Sequence, residues 1–117
     1  MSMVIKLKEN YEFRRAYTRG KSYVTPFFVL YLVRTKQKRV RLGITAGKKL
    51  GGAVCRNRAK RVLTAAFREC LPHITPGVDL VLVARARVLK AKSTAVQVQL
   101  KNQLTAAGVY HENETDQ

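Results

Sequence analysis

The sequence predicts an α+β fold, with elements in the order αβββαβα or αββαβα, and three observations carry that expectation. A glycine turn at Gly51-Gly52 opens a long amphipathic segment from Ala53 to about Leu71, with apolar residues recurring at helical spacing. The run Tyr23–Val33 is dense in β-branched and aromatic residues, and its apolar side chains fall on both faces of an extended strand. The run Val78–Ala84 alternates little between apolar and polar, as a buried strand parallel to a neighbour across a helix does.

The elements follow in order. Val4–Lys8 is a short basic and apolar lead-in. Asn10–Arg19 reads as a helix with Tyr11, Phe13, Ala16 and Tyr17 as its apolar positions and Gly20 as its stop. In Tyr23–Val33, Pro26 lies near the start; Phe27, Val29 and Tyr31 share one face, and Phe28, Leu30 and Leu32 the other. Lys36–Lys38 forms a polar turn into a second strand, Val40–Ala46, which suggests a hairpin. Pro72 and Pro76-Gly77 end the long helix. Ser93 or Thr94 is expected to cap a last helix through Ala107, with Val96, Val98, Leu100, Leu104 and Ala107 inward and Gly108 as its stop. Residues 1–108 read as one domain, large enough for a core without disulfides or metal, and residues 109–117 as a polar, acidic, frayed tail.

Charge narrows the function. The chain carries a formal net charge of +16, and no acid lies between Phe13 and Arg68, where sixteen Lys and Arg fall. The other seven basic residues are offset by seven acids, so the whole excess resides in that middle segment. A surface built only for solubility intersperses both signs. Self-repulsion of this size makes sense if a polyanion neutralises it. Cations spread over several elements favour nucleic acid over an anionic membrane. With no apolar run near a membrane-spanning length and no signal-peptide core, the expectation is a soluble, cytoplasmic protein.

Cys55 and Cys70 lie on one helix, roughly 22 Å apart at 1.5 Å per residue, too far to pair. Both read as small core hydrophobes, and no metal-ligand spacing is present. Catalytic parts are scarce. Only Glu69 and Asp79 lie between Glu12 and Glu112, too few for a paired acid and base or a metal-assisted phosphoryl transfer. His73 and His111 read as solvated, and Gly47–Gly52 lacks the spacing of a phosphate loop.

Binding parts are plentiful. At about 100° per residue, Arg56, Asn57, Lys60, Arg61 and Arg68 are placed on one arc of the long helix, with Arg58 at its edge. Cys55, Ala59, Val62, Leu63, Ala66, Phe67 and Cys70 are placed on the opposite, core-facing arc. Lys48 and Lys49 add charge at the entry. Asn57 is a poor mid-helix residue, which suggests a contact to base, sugar or phosphate. Aromatic residues Phe13, Tyr17, Phe27, Phe28 and Tyr31 interleave with Arg14, Arg15, Arg19 and Lys21, a pattern suited to stacking single-stranded nucleic acid beside a basic groove. Phe28 reads as core. For Phe13, Tyr17 and Tyr31 composition leaves core and stacking platform equally open.

The run Lys48-Lys49-Leu50-Gly51-Gly52-Ala53-Val54-Cys55-Arg56-Asn57-Arg58-Ala59-Lys60-Arg61 resembles the signature of the protein subunit of bacterial ribonuclease P. Leu7–Gly20, Phe28-Val29-Leu30-Tyr31, Leu42-Gly43-Ile44 and Asp79–Ala84 extend the likeness over roughly residues 5–107. Ala59 stands where relatives often carry a larger aliphatic residue. The acidic tail matches no feature of the family.

The resemblance implies an α/β sandwich in the order αβββαβα. A single four-stranded mixed sheet and a left-handed βαβ crossover carrying the basic helix are part of that expectation, where general rules favour the right-handed crossover. It implies a protein with no catalytic residue and no metal of its own, partner to a catalytic RNA that uses magnesium to cut the 5′ leader from precursor tRNA. By matching position, Lys48, Lys49, Arg56, Asn57, Arg58, Lys60 and Arg61 are expected to bind the RNA subunit, and Arg68, on the same arc, with them. Phe13, Tyr17, Tyr31 and Arg14 are expected to bind the leader. No membrane and no obligate protein partner are expected. The alternatives are a ribosomal or general RNA-binding protein of similar topology, and a membrane-active polycation.

Overall fold

Val78–Ala84, strand β5, is the centre around which the other elements pack. The computed structural model describes residues 4–112. In chain order its elements are β1 (Ile5–Lys6), α1 (Asn10–Arg19), β2 (Lys21–Val24), β3 (Phe28–Arg34), β4 (Val40–Thr45), α2 (Ala53–Cys70), β5 and α3 (Ser93–Ala106). Short 3-10 turns lie at Lys48–Leu50, Leu71–His73 and Ala86–Lys90. The strands form one mixed sheet in the order β1-β4-β5-β3-β2. β4 runs parallel to β5 and to β1, β3 runs antiparallel to β5, and β2 antiparallel to β3.

β5 takes the centre because its sequence can be dry on both faces. Val78, Asp79, Leu80, Val81 and Leu82 are all buried. Strand alternation sends Leu30, Leu32, Leu42, Leu80 and Leu82 to one side, where they pack with Leu63 and Phe67 of α2 and Val96, Leu100 and Leu104 of α3. Val81 faces the other side with Leu7 and Ala16, joined by the partly buried Phe13, Tyr31 and Val83. The sheet is thus sandwiched, α1 on one face and the α2–α3 pair on the other.

Four expectations need correction. The sheet has five strands, because Ile5–Lys6 in the lead-in pairs with Arg41 and Leu42 of β4. The 23–33 run is two strands joined by a tight turn at Thr25-Pro26-Phe27. The Thr25 hydroxyl accepts from the N–H groups of Phe27 (3.2 Å) and Phe28 (3.0 Å) and donates to the Phe28 carbonyl (2.8 Å), tying the turn together. The hairpin lies there, and not at Lys36–Lys38. Instead β5 inserts between β3 and β4, and the connecting loop wraps its start. Thr35 N–H donates to the Gly77 carbonyl (2.8 Å) and Gly77 N–H to the Arg39 carbonyl (3.0 Å), with Gly77 at φ +101°, open to glycine. In α3, Lys92 takes the N-cap position without a side-chain cap, Ser93 is already helical, and Val98 is exposed.

The start of the expected tail also belongs to the fold. Val109 is fully buried, Tyr110 bridges to Ile74, and the His73 and Tyr110 rings stack at 5.1 Å. His73 Nδ1 lies 3.0 Å from the His111 carbonyl oxygen, so this half-exposed ring is engaged with the start of the tail. The rest of the tail, residues 113–117, lies outside the described residues. Both cysteines are free; Cys70 is buried, and burial pushes its thiol up to about 11, so it is unreactive.

Thr25→Val removes the acceptor for two turn N–H groups at a buried site. It should lower stability by about 1–3 kcal/mol, read as a shift in urea midpoint at unchanged m value.

Candidate nucleic-acid interface

One surface forms where α1 lies on the sheet. α1 is entered through a reciprocal capping box between Glu9 and Glu12. Glu12 Oε1 accepts from the main-chain N–H groups of Lys8 and Glu9, each at 3.0 Å. Its other oxygen receives Arg41 Nη1 from β4. The same guanidinium grips Asp79 of β5 with Nε (2.9 Å) and Nη2 (2.8 Å), and Arg15 of α1 adds Nη2 at 3.0 Å. Two backbone N–H donors and the Arg41 guanidinium hold the Glu12 carboxyl at about 2, well below its usual 4.5. The two carboxylates hold Arg41 charged, well above the usual arginine range.

That clamp fixes which side of α1 meets the sheet. Phe13 and Tyr17, one turn apart, then face β3 and β4. Tyr17 meets Tyr31 edge to face, centroids 5.0 Å apart at 82°. The Tyr17 hydroxyl shares a 3.0 Å hydrogen bond with the Thr45 hydroxyl at the end of β4. Phe13 lies over Gly43. Two hollows, of about 200 and 410 Å³, open beside it and share Phe13, Ile44 and Lys60 as lining. Tyr17 is 39% exposed and so presents ring surface to the solvent side of the larger hollow. Phe13, Tyr17 and Tyr31 therefore come together on this face: Phe13 and Tyr17 line the hollows, while Tyr31 touches Tyr17 but lines neither, and both Phe13 and Tyr31 are also packed against the buried Leu7, Ala16 and Val81. Arg14 points elsewhere on the exposed side of α1 and lines neither hollow.

The second surface is the exposed side of α2 with its entry turn. Leu50 anchors the 3-10 turn in the core and leaves Lys48 and Lys49 exposed beside it. Asn57, Arg58, Lys60 and Arg61 are exposed within the first half of α2, and Arg68 lies in its last turn. Arg58, Lys60 and Arg61 lie in the second and third turns, close together, with no acid among them or in the first turn to offset their mutual repulsion. Such clustering of like charges costs helix stability.

The arc assignment is corrected at Arg56, and two residues that are exposed as expected, Arg58 and Lys60, have more particular surroundings. Arg56 is half-buried with its Nε enclosed, because eleven residues at 100° bring it within about 20° of the core residue Phe67. Arg58 Nε donates to the Leu89 carbonyl at 2.8 Å, which ties α2 to the turn before α3. Lys60 faces the aromatic cleft, so it joins the two surfaces.

Sequence reasoning missed the clamp and the cleft's polar lining, Asn10, Thr45 and Thr64. A signal for the clamp was available. Asp79 interrupts an otherwise apolar run, and a carboxylate buried on a central strand demands a cation.

A sheet between helices, bearing a cationic helix face and an aromatic cleft that meet at Lys60, defines a small RNA-binding protein. Comparison with known proteins makes the class specific. The Ribonuclease P family profile matches residues 1–108. The ribonuclease P protein component of Natranaerobius thermophilus is 42% identical over 87 residues, covering 74% of this chain and 76% of that protein. That of Clostridium beijerinckii is 32% identical over 119 residues, covering 96% and 95%. The solved structure of the Staphylococcus aureus RNase P protein superposes with a TM-score of 0.79 at 33% identity, over 93% of this chain and 100% of that one. The Thermotoga maritima RNase P protein gives 0.75 at 28%, over 85% and 94%. The chain belongs to the bacterial ribonuclease P protein component family, and its function is tRNA processing within ribonuclease P.

Glu12 makes a titration prediction. Its folded-state value lies below its unfolded one, so its contribution is full above about pH 5 and is lost as pH falls toward 2. Wild type should lose about 2–3 kcal/mol more than Glu12→Gln between pH 5 and pH 2, measured by chemical denaturation across that range.

Proposed function

We propose that this chain is the protein half of a ribonucleoprotein endoribonuclease, with the chemistry carried by an RNA subunit and its magnesium. The protein docks on that RNA through Lys48, Lys49, Asn57, Arg61 and the outer face of α2, with Arg68 extending the contact along the helix. Phe13, Tyr17 and Tyr31 hold the single-stranded 5′ leader of precursor tRNA by stacking. Arg14, on the solvent side of α1, adds long-range attraction for the leader.

The observation that carries this reading is the aromatic cleft lying beside, and sharing Lys60 with, the cationic helix. Arginine forks and lysine point charges fit phosphates, and a row of partly exposed rings fits unpaired bases. Arg58 and Arg56 serve this surface differently from their neighbours. Arg58 supports the neighbouring turn while its charge stays exposed, and Arg56 sits at the border of core and surface.

The assignment of chemistry to the RNA rests on what the acids are doing. Glu12 and Asp79, the two buried carboxylates, are both bound by arginine and so are engaged in holding the fold. Cleavage at a phosphodiester requires a metal clamp or an acid and base pair, which the RNA and its magnesium supply. Bacterial tRNA maturation places the work in the cytoplasm, with RNA subunit and precursor tRNA as partners and no further protein required.

Reconstitution tests the reading. The protein with its cognate RNA should cleave precursor tRNA at physiological magnesium to give the mature 5′ end, and the protein alone should not. Cleavage by protein freed of every trace of RNA would overturn it.

The two surfaces separate by mutation. Lys49→Ala with Arg61→Ala should weaken assembly with the RNA subunit and reduce the log–log salt slope by about 0.7–0.9 for each phosphate no longer neutralised. Tyr31→Ala should weaken binding of long-leader substrates while sparing mature tRNA; equal weakening for both would mark the ring as purely structural.

A further inference from the structure

Phe13 reaches its place in the cleft only because the residue beneath it has no side chain. A Cβ built on Gly43 would stand 2.5 Å from Phe13 Cε1 and 2.7 Å from its Cζ, with Leu7 Cδ1 at 3.0 Å. Leu7 contributes a flexible tip that can give way. The Phe13 ring is rigid and cannot bend around a methyl group. Nor can the backbone retreat, since Gly43 lies in the middle of β4, opposite Val81 of the central strand. Glycine inside a strand is unfavourable in itself, and a close approach is one reason for its use there.

We propose that Gly43 is a positioning residue of the leader cleft, acting through Phe13. By letting the ring edge come down onto β4, it sets the depth of the platform between the two hollows that Phe13, Ile44 and Lys60 share. A methyl group at this position forces the ring outward by about 1 Å to regain ordinary contact, or turns it aside. Either motion brings it into the mouth of the cleft and changes the gap to Lys60. The consequence falls on leader binding, while the basic face of α2 is untouched. The inference rests on the reading of this cleft as the leader site.

The test uses holoenzyme reconstituted with the RNA subunit and two ligands, a long-leader precursor tRNA and mature tRNA. Gly43→Ala should weaken the long-leader ligand roughly five- to tenfold, with mature tRNA and affinity for the RNA subunit unchanged. Phe13→Leu should weaken the same ligand, and Gly43→Ala combined with Phe13→Leu should be no weaker than Phe13→Leu alone. Unchanged leader affinity in Gly43→Ala, or additive effects in the double variant, overturns the role given to Gly43. Unchanged leader affinity in Phe13→Leu overturns instead the reading of the cleft. If Gly43→Ala fails to fold, recovery of folding by Phe13→Leu identifies the ring as the obstacle and supports the proposal. Failure of both variants to fold overturns it.

Discussion

The buried ion cluster of Arg41 with Glu12 and Asp79 is the constraint on which the α1 face of the sheet depends. α1 covers its face of the sheet with few wholly buried apolar residues, Ala16 being the only one from the helix itself. Apolar contact of that extent fixes neither the rotation of a ten-residue helix nor its place along the strands. Directional bonds do. Arg41 on β4 reaches Asp79 on β5 and Glu12 on α1 with one rigid guanidinium, and Arg15 returns from the next turn of α1 to Asp79. Burying such a cluster is weak evidence for net stability, because desolvation offsets most of the attraction. Its value here is geometric: the same rotation that satisfies Glu12 and Arg15 aims Phe13 and Tyr17 at β3 and β4.

The opposite face of the sheet is held by quite different means. α2 and α3 bury a broad apolar surface, with Leu63, Phe67, Leu100 and Leu104 among the fully buried side chains. That core leaves the outer side of α2, Arg58 apart, without a packing role, so it can carry a cluster of like charges. Division of labour between the faces follows: apolar packing supports a charged exterior, and ionic packing supports an aromatic cleft.

How legible these features are in the sequence depends on the range of the forces involved. The helices and the dry central strand are written in local periodicity, and their expected bounds lie close to those observed, Ala53–Cys70 and Val78–Ala84 among them. The pairing of strands is not local. Lys36–Lys38 has the composition of a hairpin turn, yet β5, distant in the chain, separates β3 from β4 and is the strand buried on both faces along most of its length. Thr25-Pro26 carries a legible turn signal that the long apolar run conceals. The site divides in the same way. The basic run and the aromatics are visible as residue types, whereas the burial of Arg56 needs the helix phase tracked to Phe67. The turn of Lys60 toward the cleft needs the tertiary placement of α1.

Lys60 is where the two surfaces become one problem. Asn57 and Arg61 flank it on the outer face of α2, while its side chain lines the hollows beside Phe13 and Tyr17. An RNA docked along α2 and a strand threaded past α1 would meet at this ammonium group. Two phosphate backbones repel each other strongly at short range, and a cation held between them offsets that repulsion most effectively where water is partly excluded. On the reading proposed for the two surfaces, both anionic ligands would share Lys60, and any coupling through that charge would act equally on the binding of each.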